Sequence, residues 1–247
     1  AKIIDCLKMN PIIFDNVNFY KAKIVNSFLG YNFNNVSFKK AHIIKSGISG
    51  FWKNILTNIE FSGSYIYRSS IGGGKVINVK FKNSTIINSG FGSLTRNIYF
   101  DNSKISRSRF YVGVFFNSSM KNTIIKNSKF NGKFININFI NSKIIKCSFN
   151  NIRSKRIKGK YVKYDKGFTG RKLKFINCIL TGSTFIKAKL YNSNFTNANL
   201  TNVDFTKTTF KNITFKNADM TGTKIDRKYY NYIKKQGVRN YDKIKWQ

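Results

Sequence analysis

The sequence has little of the side-chain chemistry that most enzymes use. Its 247 residues include one histidine, His42, and nine acidic residues, of which only Glu60 is a glutamate. Histidine and the carboxylates carry out most general acid–base catalysis, and paired carboxylates are needed for two-metal or glycosidase chemistry. The few acids are scattered along the chain. We therefore predict a protein that is not an enzyme and that holds no cofactor or metal.

Cysteine and long apolar runs are also scarce. The three cysteines, Cys6, Cys147 and Cys178, are an odd number and show neither CxxC nor Cys/His ligand spacing, which argues against a disulfide scaffold and a zinc site. We expect a reducing compartment. No apolar run approaches the ~20 residues of a membrane helix, and the N-terminus lacks a secretory signal, so we expect neither membrane insertion nor secretion.

What the sequence does have is a five-residue repeat of bulky apolar side chains, which is neither the 3.6-residue period of a helix nor the two-residue period of a flat strand. From Phe175 onward it runs without a miss, and earlier stretches show it with phase slips. These central apolar residues are Phe14, Phe19 and Ile24; after a four-residue step Phe28, Phe33, Phe38, Ile43 and Ile48; Phe51, Leu56, Phe61, Ile66, Ile71, Val76, Phe81, Ile86 and Phe91; Phe100, Ile105, Phe110, Phe115, Met120, Ile125 and Phe130; Phe134, Phe139, Ile144 and Phe149; and Phe175, Leu180, Phe185, Leu190, Phe195, Leu200, Phe205, Phe210, Phe215, Met220 and Ile225.

The residues around each central position also recur. Two residues before it the side chain is usually small or β-branched, as at Ser183 and Ala198, and two residues after it asparagine is frequent, as at Asn197 and Asn202. Asparagine tolerates left-handed backbone geometry. The pattern therefore predicts a chain that turns a corner every five residues, with the large and the small side chain both inside. Cys147 and Cys178 occupy the small position and are predicted to be buried packing thiols.

With segments such as Ala198-Asn199-Leu200-Thr201-Asn202, the sequence resembles the pentapeptide-repeat family. The resemblance covers roughly residues 12–225 and is strongest from residue 174. It implies an all-β fold, a right-handed quadrilateral β-helix of about ten coils with four pentapeptides in each, ending in a short helical or extended tail.

The organisation that follows is one interrupted solenoid. We expect an N-terminal extension or cap over residues 1–11, β-helix over 12–149, a basic insertion loop over 150–173, further β-helix of the same solenoid over 174–225, and a basic, aromatic tail or cap over 226–247. In the tail, Asp226 is predicted to cap a short helix that stops at Gly237.

Charge of one sign dominates the surface that this fold would leave outside. There are 45 Lys and Arg against nine acids, a net charge of +36. Family members that imitate DNA present acidic surfaces, so the resemblance does not transfer that activity to this chain. A cationic rod suits phosphate-rich partners instead. The candidate nucleic-acid-binding residues are Arg153, Lys155, Arg156, Lys158, Lys160, Lys163, Arg171 and Lys172 in the insertion, and Arg227, Lys228, Lys234, Lys235 and Arg239 in the tail.

Because lysines precede and follow central residues in many repeats, we expect the charge to spread over several faces rather than form one stripe. This favours a structural, non-catalytic RNA-binding protein in a large ribonucleoprotein, with ribosomal RNA and neighbouring proteins as partners, in a mitochondrion or in the cytoplasm. Two alternatives stay open: a protein–protein scaffold or virion component, and a bacterial effector or regulator. The Lys, Asn, Ile, Phe and Tyr bias also suits an AT-rich genome, which raises lysine content without functional need.

Overall fold

The chain winds as a parallel β-solenoid of about 11 turns with one short helix at its C-terminal end, which confirms the predicted β-helix. The computed structural model describes residues 1–6, 13–30, 32–48, 54–72, 74–149, 155–157, 160–162 and 168–247, without the side chains of 93, 94, 112, 155–157 and 160–162. Each coil has four faces, which we number 1 to 4 in chain order. Coils are numbered from the residue that points inward on face 1, so that Ile3 opens coil 1 and Met220 opens coil 11.

Face 1 is a sheet of short parallel strands that stack from coil to coil. Its strands are Lys2–Ile4, Lys23–Val25, His42–Ile44, Tyr65–Tyr67, Thr85–Ile87, Lys104–Ser106, Ile124–Lys126 and Lys143–Ile145. Single bridges at Ile179, Asn199 and Asp219 continue this face to the C-terminal end.

Faces 2 and 3 form the larger sheet, in which several strands run around a corner. The short strands are Ile13–Asp15, Phe28–Leu29, Asn32–Asn34, Gly47–Ile48, Ser70–Ile71, Thr169–Arg171, Lys189–Tyr191 and Thr209–Lys211, and the long ones are Ile55–Glu60, Lys75–Lys80, Gly90–Tyr99, Arg109–Ser119 and Lys129–Asn138. Face 4 is held largely by single parallel bridges, such as Lys174 with Asn194. Within the insertion, Lys155–Ile157 pairs antiparallel with Lys160–Val162.

The interior is filled by columns of aromatic rings that run along the axis. On face 2, Phe130 stacks on Phe149 and Phe149 on Phe185, each with 4.5 Å between ring centroids. On face 4, Phe175 stacks on Phe195 at 4.8 Å. Rings of the two opposite faces meet edge to face across the interior. A buried Phe contributes about 2–3 kcal/mol before the cost of ordering the chain, so these columns are the main source of stability.

The corners adopt the left-handed backbone conformation that the asparagine pattern predicts. Asn78, Asn97, Asn177 and Asn197 all have φ between 55° and 57°. Their side chains also bond along the axis: the Asn97 amide donates to the Asn78 carbonyl oxygen at 2.8 Å, and Asn197 donates to Asn177 at 3.1 Å. An asparagine at a corner therefore adopts the required backbone conformation and also gives its side-chain amide a hydrogen-bond partner.

The predicted phase was wrong in the second coil. Leu29 is fully buried and pairs with Ile48, whereas Phe28 is half-buried on the outer side. The four-residue step thus falls between Leu29 and Phe33, one repeat later than predicted. Both residues are apolar, so only the register with the next coil distinguishes them. The central position predicted at Phe51 lies outside the described residues.

Two boundaries also differ from the predictions. Lys2–Ile4 pairs with Lys23–Val25, so these residues begin the solenoid instead of preceding it. After the insertion, the coil resumes at the buried Phe168, not after residue 173. In this coil the small side chain occupies the central position and the large one the position two residues before it, the reverse of the usual pattern. Gly170 takes the inward central place, where a Cβ would lie 2.4 Å from Leu173, and Phe168 fills the space two residues earlier. Coil 5 has a similar exception, since the buried Thr95 replaces an apolar residue.

The C-terminal tail closes the end of the solenoid, partly by side chains that replace a further strand. It contains 3₁₀ turns at Arg227–Tyr229 and Tyr241–Lys243, the helix Tyr230–Lys234, and the strand Lys245–Trp246, which pairs with Lys224–Ile225. The Tyr229 hydroxyl donates to the carbonyl oxygen of Thr208 and accepts from the N–H of Phe210, both at 3.1 Å. The carbonyl oxygen of the Gln236 side chain accepts from the N–H of Phe215 at 2.7 Å.

Asp226 does not play the capping role predicted for its side chain. Its carboxylate makes no hydrogen bond to the following turn. It accepts instead from the N–H of Lys207 at 2.9 Å and lies 3.6 Å from the Lys228 ammonium group. Gly237, three residues past the helix, is left-handed with φ of 61°.

Cys147 and Cys178 are buried at the small inward position, as predicted. Burial raises the pKa of each thiol to about 12, in spite of backbone hydrogen bonds that favour the thiolate. Both therefore stay protonated at physiological pH and act as packing groups. Within the described residues, no helix is long and apolar enough to cross a membrane, and no cluster of potential ligands for a metal ion is present.

Replacing a ring in the column tests the core directly. Phe195→Ala should lower the free energy of unfolding by about 3–5 kcal/mol, because it removes stacking contacts on both sides and leaves a cavity. The matched control is Tyr20→Ala, whose ring is 45% exposed. Urea denaturation followed by circular dichroism measures both. Equal midpoints would show that Phe195 does not support the core.

The cap gives a second, local prediction. Tyr229→Phe keeps the ring but leaves the carbonyl oxygen of Thr208 and the N–H of Phe210 without a partner, at a cost of about 1–3 kcal/mol. Hydrogen exchange should accelerate in coils 10 and 11 and stay unchanged in coils 2 to 5, because neighbouring coils alone interact in a solenoid. Uniform acceleration along the chain would contradict this assignment.

Candidate nucleic-acid interface

The structure describes the candidate residues of the insertion only in part. Arg153, Lys158 and Lys163 lie outside the described residues. Lys155, Arg156 and Lys160 lie on the short antiparallel hairpin, of which only the backbone is described. No described side chain of the insertion itself therefore defines a site.

Arg171 and Lys172 belong to the solenoid, not to the insertion. Arg171 lies on face 3 of coil 8, and its guanidinium carbon is 5.2 Å from the centroid of the Tyr191 ring. Lys172 occupies the left-handed corner that follows, with φ of 52°. Both side chains are exposed. This placement corrects the predicted boundary and assigns these two cations to the rod surface.

The candidate residues of the tail gather at the C-terminal end. Arg227, Lys228, Lys234, Lys235 and Arg239 are all exposed. Lys228 lies near Asp226, and the Nε of Arg239 donates to the carbonyl oxygen of Asn217 at 3.1 Å. Part of this charge is thus used to close the solenoid.

A denser basic surface appears where faces 1 and 2 meet in coils 6 to 8. We call it the basic patch; it consists of Lys104, Arg107, Arg109, Lys126, Lys129, Lys143 and Lys146, all of them exposed. Strand register places these residues in adjacent rows, with Arg109 beside Lys129, and Lys104 and Lys143 either side of Ile124. Coils stack about 4.8 Å apart, so neighbouring charges lie within one or two such steps.

No acidic residue interrupts the basic patch. Among the described residues, the two ion pairs are Lys80 with Glu60 and Lys228 with Asp226, and both lie elsewhere. Uncompensated like charges at this spacing raise the local potential and attract polyanions. Tyr111, which follows Phe110 on face 2, is 47% exposed beside Arg109 and offers a ring face to solvent. Cations with an exposed aromatic ring are typical of nucleic-acid surfaces.

Two members of the basic patch occupy unfavourable backbone positions. Arg107 and Lys146 have φ of 50° and 51°, and the same corner carries Lys45 and Arg68 at 50° and 48° in coils 3 and 4. Asn88 and Asn127 fill the corner in between. A long side chain in the left-handed region costs more than asparagine does. The cations at this corner therefore lower the stability of the fold.

The charge is not uniform along the rod. In coils 9 to 11, faces 1 and 2 carry Thr181, Thr201 and Thr221 in one row and Asp204 and Asp219 nearby. Hydrogen bonds from Thr221 and Asn240, with nearby Arg239, outweigh partial burial and lower the pKa of Asp219. The expected spread over several faces thus holds for individual lysines such as Lys39 on face 4 and Lys189 on face 3, but the basic patch is one-sided.

Lysines beside central residues were noted in the sequence, but their grouping into the basic patch was not predicted. The sequence contains the necessary information, because every fourth central residue lies on the same face. Counting the repeats correctly therefore groups the cations on that face. That count requires the exact position of each phase slip.

Part of the chain matches a known protein family. Residues 171–228 match the family described as Pentapeptide repeat region. HetL from the cyanobacterium Nostoc sp. strain PCC 7120, a pentapeptide repeat protein involved in heterocyst differentiation regulation, is 13% identical, with 90% of this chain and 88% of that chain covered and a TM-score of 0.38. QnrB1, a plasmid-mediated fluoroquinolone resistance protein, is 13% identical, with 95% and 97% covered and a TM-score of 0.36. No curated protein sequence matches significantly.

Cations whose backbone is left-handed should lower the stability of the fold while they contribute to binding. Arg107→Asn should raise the free energy of unfolding by about 1 kcal/mol, because asparagine suits this conformation and can join Asn88 and Asn127 along the corner. Lys104→Asn, at an ordinary strand position with the same charge change, should slightly lower it. Urea denaturation of both variants measures the difference. A destabilised Arg107→Asn would show that the corner arginine contributes to the fold.

Proposed function

We propose that this chain, which is a pentapeptide-repeat protein, is a non-catalytic rod that binds RNA phosphates through the basic patch and serves as a structural part of a large ribonucleoprotein. The observation that carries the proposal is the set of seven exposed cations on two adjacent faces of coils 6 to 8, without an intervening acid. Each phosphate neutralised there releases condensed counterions, which favours binding.

The rigidity of the solenoid supports this proposal. The patch residues stand on strands, or at the corners that follow them, and backbone hydrogen bonds between coils fix both, such as the N–H of Lys104 to the carbonyl oxygen of Ser84 and that of Lys129 to Ser108, both at 2.9 Å. The positions of the cations are therefore set before a partner arrives, and little backbone order has to be gained on binding. Flexible basic tails lack this advantage.

Non-catalytic binding fits the chemistry of the described residues. The inward side chains are almost all apolar or small, and the buried thiols stay protonated. Recognition would then depend on phosphate position and on the shape of the RNA, with ribosomal RNA one partner of suitable size.

A protein neighbour is favoured at the other end of the same side. The threonine row of coils 9 to 11 and the nearby Asp204 and Asp219 give a surface of low charge next to the basic patch. Such a surface suits contact with protein, because Asp204 lies beside Lys224 and Asp219 beside Arg239, so that it attracts a phosphate backbone less than the basic patch does. This observation supports the scaffold alternative as a second role of the rod within an assembly.

A pair of matched triple variants tests the RNA proposal. Arg107→Gln with Arg109→Gln and Lys129→Gln should weaken RNA binding and reduce the slope of log K against log salt by about 2, since each single-strand phosphate contact contributes about 0.7. The control, Lys39→Gln with Lys82→Gln and Lys216→Gln, removes the same charge from face 4 and should reduce the slope by less than half as much. Filter-binding titrations at several salt concentrations, with RNA and with duplex DNA, measure both.

Two results would contradict the proposal. Equal effects of the two triple variants would mean that net charge, and not the patch, determines binding. Absence of salt-dependent RNA binding by the unaltered protein would exclude RNA as the partner.

A further inference from the structure

Next to the basic patch, face 2 of coils 2 to 5 forms an open trough of about 550 Å³. Its floor is made by Gly47 and Ser70, with the buried Ser46 and Ser69 beside them. Its side at the corner between faces 1 and 2 is lined by Asn26, Lys45, Arg68 and Asn88, and Phe28 closes the end nearest the N-terminus. We call this feature the trough.

Strand register connects the trough to the basic patch. The floor row runs from Gly47 through Ser70 and Gly90 to Arg109 and then Lys129. In the parallel row, Gly92 is followed by the exposed Tyr111. Arg109 and Tyr111 therefore stand at the far end of the trough, about four coil spacings, or ~19 Å, from Phe28. The cations Lys45, Arg68 and Arg107 follow one another along its corner.

Packing explains part of this floor, because a Cβ added at Gly47 would lie 2.7 Å from the Phe28 ring, but it does not explain all of it. Gly72 is required by the backbone, with φ of 112° and only 2.4 Å between an added Cβ and the carbonyl oxygen of Gly92. Gly90 is different, because a Cβ there would meet nothing within 4 Å and its φ is not positive. Glycine weakens a strand relative to a β-branched residue. An unforced glycine at Gly90 therefore keeps the surface open at a cost to the fold.

The floor also excludes one common kind of occupant. The N–H groups of Gly47, Ser70 and Gly90 already donate to carbonyl oxygens of the preceding coil, each at 2.9 Å. A peptide cannot add to this surface as a further strand, because the backbone groups that it would need are paired. The occupant must be held by the side chains along the corner and by contact with a flat surface.

We infer that the trough binds a short segment of single-stranded nucleic acid, continuous with the strand on the basic patch. The inference rests on the proposed function. Phosphates lie along Lys45, Arg68 and Arg107, sugars and bases lie flat on the Gly–Ser floor, and one base stacks on Tyr111. Ser70 offers an exposed hydroxyl to the sugar or base. A duplex keeps its bases paired inside and cannot place them on this floor.

The test adds a side chain to the floor without changing charge. Ser70→Leu fills the trough, and Gly90→Leu, one coil further along the same row, blocks its continuation towards Arg109. Thr209→Leu, on an exposed strand position of face 3, is the matched control. Circular dichroism and urea denaturation establish that each variant is folded. Fluorescence anisotropy with labelled oligouridylates of two to twelve nucleotides, and with duplex RNA, then measures affinity at fixed salt.

We expect Gly90→Leu and Ser70→Leu to weaken single-strand binding about tenfold, with Thr209→Leu and duplex binding unchanged. Affinity of the unaltered protein should rise steeply up to about four to eight nucleotides and more slowly beyond, the range needed to cover trough and patch. RNA binding that both floor variants leave intact, or equal affinity for duplex and single strand, would contradict binding in the trough without contradicting binding at the basic patch. Absence of salt-dependent binding to any of these RNAs would overturn both proposals.

Discussion

The left-handed corner, repeated at most of the turns between faces, is the constraint on which the rest of the structure depends. It forces each central side chain inward and the residues on either side of it outward, coil after coil. Because asparagine satisfies this geometry and also bonds to the asparagine one coil away, as Asn97 does with Asn78, most corners turn without glycine; Gly63, Gly182 and Gly222 are among the exceptions. The aromatic columns can then stack at 4.5–5 Å, since the corners fix the spacing of the coils.

The separation of the packed interior from the charged exterior explains how the fold tolerates a net charge of +36. The stabilising contacts lie inside, and the outward positions carry few of them. Charge on the outside costs self-repulsion but no packing. Some cations also occupy corner positions where the backbone prefers asparagine: Arg107 and Lys146 in the basic patch, and Lys21, Lys40, Lys172, Lys187 and Lys207 elsewhere. The grouping of exposed cations on faces 1 and 2, beside a floor with an unforced glycine at Gly90, is the structural basis of both proposals.

The fold could be predicted from the sequence to a large extent, because the repeat of Phe195, Leu200 and Phe205 encodes direction and spacing at once. The errors arise where two residues compete for one role. Phe28 and Leu29 are both apolar, and only pairing with Ile48 shows which is inside. At coil 8, the exchange of large and small residues at Phe168 and Gly170 hides the resumption of the repeat within a basic segment.

The candidate site was harder to predict than the fold. Grouping Arg107, Lys126 and Lys146 on one side requires the face of each repeat, and a single miscounted slip moves every later residue to another face. The polar Thr95 at a central position and the insertion before Phe168 each disturb that count. The trough was harder still to predict from the sequence, because a glycine such as Gly90 usually indicates a turn, whereas here Gly90 lies in a strand.

The most direct test of this account is a map of lysine protection in the complex. Acetylation of the folded protein with and without a bound single-stranded RNA, read by mass spectrometry, reports each ammonium group separately. The account predicts protection of Lys45, Lys126, Lys129, Lys143 and Lys146, with Lys39, Lys82, Lys211 and Lys216 modified equally in both samples. Protection spread evenly over all four faces, or confined to Lys234 and Lys235 of the tail, would contradict it.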